Sequence, residues 1–116
     1  MEMIVREHGE KESLIVHLRG ECDLYSAPSL KAAMLKKFEA GVRRILFDMA
    51  DLRYLDSSGV GVIICLLQAA KRLDGEIRFR GLAAGPRRVL ERTNLLPFIR
   101  EVSSHSDNAP VQVSAS

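Results

Sequence analysis

A chain of 116 residues with 47% hydrophobic side chains has the material for one domain around one buried core, which excludes a disordered chain. Seventeen Lys and Arg against fifteen Asp and Glu leave a formal charge of +2, too small to point to nucleic acid as the main partner. The longest apolar stretch, Val60 to Ala70, falls short of the roughly 18 residues of a spanning helix, and the opening "MEMIVREHGEKES" is no signal peptide. The expectation is a cytoplasmic protein with no membrane partner.

In chain order, "MIVREHG" and "SLIVHLRGEC" are short runs rich in Ile, Leu and Val, separated by the turn-like "EKE", and predict a β-hairpin. "SAPSLKAAMLKKFEAG" predicts a first helix with Ser26 as N-cap, Pro28 in the first turn and Gly41 as the stop. Its Leu30, Ala33, Met34 and Phe38 lie near helical spacing. "RRILFDMADL" predicts a strand, and Ser58 to Leu73 a second helix ending at "DG". "EIRFRGL" alternates like a strand. "GPRRVLERTNLL" predicts a third helix, with Pro86 early and Asn94 as a left-handed stop, before the short apolar "PFIREV", a candidate last strand.

The order β-β-α-β-α-β-α(-β) predicts a single α/β domain: a mixed sheet of four to five strands with three to four packed helices, its later strands parallel through right-handed crossovers. The domain is expected over 1–102. The tail, 103–116, is short of large apolar groups and expected to be flexible. Cys22 and Cys65 sit among apolar neighbours and read as reduced packing residues. The basic pairs in "LKKF", "VRRI" and "PRRV" read as solvated faces.

"LDSSGVG" falls between a predicted strand and a predicted helix, where functional loops gather in α/β sheets. Three chemistries compete for it. A nucleophilic serine would sit in G-x-S-x-G, but Tyr54, Leu55 and Asp56 precede Ser57 and Ser58. His8 and His17 fall on the opening strands and His105 in the tail, so none is placed as a base. A phosphate cradle would need G-x-x-x-x-G-K-[ST] or G-x-G-x-x-G, and neither occurs. The third chemistry is a serine that itself receives a phosphate. At Ser57 the phosphate meets unpaired N–H groups and the positive end of the helix dipole, so the fold tolerates it. The same group adds roughly −1.5 to −2 charge beside Asp56 and changes any surface built around the turn.

"GECDLYSAP", "DLRYLDSSGVGVI" and "GPRRVLERTNLLPFI", in this order and up to about Val102, resemble the bacterial anti-sigma factor antagonists, which are single STAS domains. The resemblance implies a binding protein rather than an enzyme, with no cofactor and no metal. Its unphosphorylated form would bind an anti-sigma factor that is also a serine kinase, and so free a sigma factor. Phosphorylation at Ser57 would break that complex, and a PP2C-type serine phosphatase would restore it. Ser58 is the substitute acceptor should Ser57 not be the site.

By the same resemblance, Asp56 flanks the acceptor and orients it, and Ser58 and Gly59 form the helix start. Val60 stands where the family usually has Leu, and Asp23 lies near the same turn. These five residues are the expected partner-binding set. Each has a plainer reading: Ser58 as an N-cap, Asp23 as a helix cap or turn residue, Gly59 and Gly61 as points of close backbone packing. Asn94 replaces a frequent glycine of the family and still tolerates a left-handed backbone. Two alternatives stay open. One is a STAS adaptor subunit of a transporter, lipid-transport or sensory complex without a phosphorylation cycle; the other, a nucleotide enzyme, rests only on the polar loop.

Overall fold

A computed structural model of the chain describes residues 1–103 apart from the side chains of residues 10 and 11. Strand β1 (Glu2–His8) and the long strand β2 (Glu10–Cys22) form the expected antiparallel hairpin. The reversal is tighter than the sequence suggests: "EKE" lies inside β2, and Gly9 turns the chain at φ 67, a left-handed value that glycine adopts without a Cβ clash. Helix α1 (Ala27–Glu39) ends ahead of Gly41, whose φ is 106. Strand β3 (Arg44–Leu55), helix α2 (Ser57–Arg72), strand β4 (Glu76–Arg80) and helix α3 (Ala84–Arg92) follow. Asn94, at φ 59, takes the left-handed position expected after α3. "PFIREV" yields only the two-residue strand β5 (Glu101–Val102), because a 3-10 turn at Leu96–Phe98 takes up its first half.

Two capping expectations are corrected. Ser26 precedes α1 but makes no side-chain cap: its backbone is already helical at φ −97 and ψ −25, and its Oγ turns back toward Glu21 O and Asp23 Oδ1. Helix α2 begins one residue early, at Ser57, because Asp56 and not Ser58 is its cap.

The strands lie in the order β1-β2-β3-β4-β5, antiparallel between β1 and β2 and parallel elsewhere. The α/β class, the mixed sheet and the element order are therefore those read from the sequence, with five strands and three α-helices among the described residues. The expected tail lies, from residue 104 onward, outside the described residues.

The register sorts the sheet's two faces. Leu14, Ile45 and Ile77 are neighbours across β2, β3 and β4, as are Val16, Phe47 and Phe79. These side chains join Leu30, Met34 and Phe38 of α1 and Ile63, Leu66 and Ala70 of α2 in one buried core. Alternation along a strand sends the intervening residues to the opposite face. One row there is polar, with His17, Asp48 and Arg80 side by side.

Asp48 is the centre of that row. Its Oδ2 lies 3.0 Å from His17 Nδ1 and 3.0 Å from Arg80 Nη2, and its Oδ1 accepts from Ala50 N at 3.1 Å. Burial works against the charge on Asp48, but the Ala50 amide and the Arg80 guanidinium outweigh it and hold the carboxyl below its ordinary value. Arg80 is itself buried, so the Asp48 carboxylate offsets the cost of a buried cation, and removing it takes that compensation away.

Asp48→Asn should therefore cost about 3 kcal/mol of unfolding free energy at neutral pH, read by urea denaturation. The pH dependence has a definite sign. A depressed folded pKa contributes stability that is present above the ordinary carboxylate value and lost as pH falls through the folded one. The wild-type chain should lose stability below about pH 4 more steeply than Asp48→Asn.

Candidate functional site

The site forms where β2 and β3 end side by side, with Cys22 opposite Leu55. Beyond this pair one chain runs into the Asp23–Ser26 turn and the other into α2. Asp56 leaves β3 in an extended conformation at φ −109 and ψ −173, as an N-cap requires. Its Oδ1 accepts from Ser58 N at 2.9 Å and from Gly59 N at 3.2 Å. Its Oδ2 accepts from Leu24 N at 3.2 Å, across the site, and its own amide donates to Cys22 O at 3.2 Å.

Ser57 is the first residue of α2 and is exposed, and among the described residues no hydrogen bond ties its hydroxyl. Ser58 is half-buried and contributes its backbone amide to the cap. One expectation changes here: the N–H groups of Ser58 and Gly59 are not vacant but bonded to Asp56. A phosphate on Ser57 would compete with that carboxylate for them.

Asp23 organises the facing turn. Its Oδ1 accepts from Tyr25 N and from Ser26 N, both at 3.0 Å, and its own amide donates to Ser26 Oγ at 3.0 Å. The Ser26 amide, foremost, holds the Asp23 carboxyl below its ordinary value. Asp23 thus serves as a turn residue, its plainer reading, and still lies beside the helix start.

Gly59 and Val60 are buried, so neither offers a side chain to a partner in this arrangement. Gly59 is required by packing. A Cβ there would stand 2.4 Å from Leu55 Cδ1, 3.0 Å from Cys22 Sγ and 3.1 Å from Cys22 O. Gly61 is the opposite case, exposed and with nothing within 4 Å of an added Cβ, so the close-packing reading fails there. Cys22 is buried beneath the turn. Burial first, then the charges of Asp56 and Asp23, pushes its thiol up to about 11, so it packs as a neutral group.

The residues missed by sequence reasoning are apolar. Leu24 is 63% exposed, Tyr25 87% and Tyr54 48%; the first two lie on the turn whose Leu24 amide meets Asp56, and Tyr54, on β3, precedes Asp56 by two residues. The signal was present in "DLYSAP", where Leu-Tyr sits between two turn-forming residues and belongs to no strand or helix period. His17 is engaged by Asp48, and neither it nor His8 belongs to this turn, so among the described residues no histidine stands as a base for Ser57. Among the described residues no group of three or more His, Cys, Asp or Glu could hold a metal, and no helix is long and apolar enough to cross a membrane.

A family model for the STAS domain matches residues 2–109. The anti-sigma-B factor antagonist of Staphylococcus aureus (strain NCTC 8325 / PS 47) is 30% identical over 80 residues, covering 69% of this chain and 74% of that protein. The anti-sigma-B factor antagonist of Bacillus subtilis (strain 168) is 29% identical over 92 residues, covering 79% and 83%. Among solved structures, the anti-sigma factor antagonist SpoIIAA in its unphosphorylated form aligns with a TM-score of 0.83 at 20% identity, over 99% of this chain and 98% of that one. The Bacillus cell fate determinant SpoIIAA in the phosphorylated form aligns with a TM-score of 0.76 at 21% identity, over 97% and 99%. At these identities the structural likeness establishes the shared fold.

The two glycines give a paired prediction. Gly59→Ala should destabilise the protein by about 1–3 kcal/mol, because Cys22 and Leu55 must give way. Gly61→Ala should stabilise it by about 0.5–1 kcal/mol through helix propensity alone. Thermal or urea denaturation of both variants checks the contrast, and equal effects would contradict the assigned packing.

Proposed function

The chain belongs to the STAS domain family, and from that premise we propose that it is an anti-sigma factor antagonist switched by phosphorylation of Ser57. The observation that carries this reading is the exposed, untied Ser57 hydroxyl at the first residue of α2, directly after the capping Asp56. The relatives named anti-sigma-B factor antagonist support the antagonist role.

In this reading the protein works by surface and not by catalysis. Unphosphorylated, it binds an anti-sigma factor through the rim around Ser57, with Asp23, Asp56 and Ser58 in that rim and Gly59 and Val60 beneath it as its packed floor. The bound anti-sigma factor releases its sigma factor. That partner carries serine kinase activity, and the hydroxyl of Ser57 receives the phosphate. The added charge of roughly −1.5 to −2 lies one residue from Asp56, so an interface desolvated in the complex acquires adjacent like charges. The complex then dissociates, and a PP2C-type serine phosphatase restores the binding form. The exchange takes place in the cytoplasm, with neither nucleic acid nor membrane as a direct partner.

Ser57 is a better acceptor than Ser58 on geometry. Its side chain stands free at the helix start, whereas Ser58 is half-buried under the cap.

Titration of purified variants against the anti-sigma kinase encoded by the same genome tests the reading. Ser57→Asp should weaken the complex at least tenfold, about 1.4 kcal/mol. Ser57→Ala should bind like the wild type and stay bound when ATP is added. Equal affinity of the wild type and Ser57→Asp, or loss of the Ser57→Ala complex on adding ATP, would overturn the assignment.

A further inference from the structure

The turn that carries Leu24 and Tyr25 is braced internally; its flanks Cys22 and Ala27 are buried in the core shared with α2, and its hydrogen bonds toward the start of α2 fall on one residue, Asp56. Inside it, Asp23 Oδ1 gathers the amides of Tyr25 and Ser26, and Ser26 Oγ reaches back to Glu21 O at 2.9 Å. Two hydrogen bonds join this turn and the end of β2 to the start of α2, and Asp56 makes both: its amide donates to Cys22 O, and its Oδ2 accepts from Leu24 N. The side chains of Leu24 and Tyr25 point to solvent and lend the attachment no core packing. Between its packed flanks, the turn is held to the start of α2 at Leu24 N by the same carboxylate that caps Ser58 N and Gly59 N.

We infer that Asp56 is a positioning residue: it clamps the Leu24–Tyr25 turn to the first turn of α2, so that these two side chains and the Ser57 surface meet the anti-sigma factor as one rigid patch. This rests on the antagonist reading above. The chemistry of the patch fits a protein partner. An exposed Leu beside a nearly fully exposed Tyr is an apolar surface next to the carboxylates of Asp23 and Asp56, and Tyr supplies large contact area at low conformational cost. A patch held rigid before contact loses less freedom on binding than a mobile turn would. The two carboxylate oxygens divide the work, Oδ1 for the helix cap and Oδ2 for the turn.

That division allows the clamp to be removed without the cap. In Asp56→Asn the carboxamide oxygen can still cap Ser58 N and Gly59 N, since Asn caps as well as Asp. Its NH2 then faces Leu24 N, donor against donor. Hydrogen exchange of the Leu24 amide by NMR, and affinity for the purified anti-sigma factor, are measured on the wild type, Asp56→Asn and Tyr25→Ala. The expected result is Leu24 exchange at least tenfold faster in Asp56→Asn with an unchanged urea midpoint, and at least fivefold weaker binding in both variants. Unchanged Leu24 exchange in Asp56→Asn overturns the clamp. Faster exchange with undiminished binding overturns its role in docking. If the wild type binds no anti-sigma factor, the antagonist reading fails together with the docking role, while Leu24 exchange still decides whether the clamp exists.

Discussion

The structure around the site depends on one carboxylate with two faces. A parallel strand that passes straight into a helix exposes the helix's first amides at the end of the sheet, and something must satisfy them. Asp56 does so with Oδ1 and reaches a second chain segment with Oδ2. Because the acid caps, the two serines that follow are released from capping. Ser58 gives its amide, and Ser57 is left with a hydroxyl facing solvent. The stretch is more polar than a helix start requires because capping and exposure fall to different residues.

The rest of the fold holds that arrangement in place. The parallel register of β2 and β3 brings Cys22 against Leu55, so both loops leave the sheet at the same end. Gly59 lets α2 settle onto that pair with no side chain between. On the opposite face, Asp48 joins His17 and Arg80 across three strands and neutralises a buried cation. The frame beneath the turn is buried and the turn itself is exposed. On the reading proposed above, a charge added at Ser57 changes what the surface binds without disturbing the core.

Much of the fold was legible because its signals are local. Apolar runs of strand length, helical spacing in "SLKAAMLKKF", and the left-handed stops at Gly41 and Asn94 each follow from backbone sterics at single positions. The caps were less legible for an equally physical reason. Asp56, Ser57 and Ser58 are all good N-cap types, and only the direction in which β3 leaves the sheet selects the first. Ser26 failed as a cap because the Asp23 turn before it had claimed its hydroxyl. Gly59 and Gly61 read alike in sequence, and only packing separates them. Leu24 and Tyr25 escaped notice because exposure is a tertiary property: an apolar pair in a turn reads as ordinary until the fold leaves it uncovered. The carboxylate shared between residues 24 and 56 joins segments 32 apart in sequence and has no local signature.

The most direct measurement is the location of the phosphate. The wild-type chain, incubated with ATP and the anti-sigma kinase of its own genome, is digested and mapped by mass spectrometry while the complex is followed by gel filtration. The account predicts one phosphate, on Ser57, appearing in step with dissociation of the complex. Phosphate on Ser58 or elsewhere, or a fully phosphorylated Ser57 with the complex intact, would contradict it.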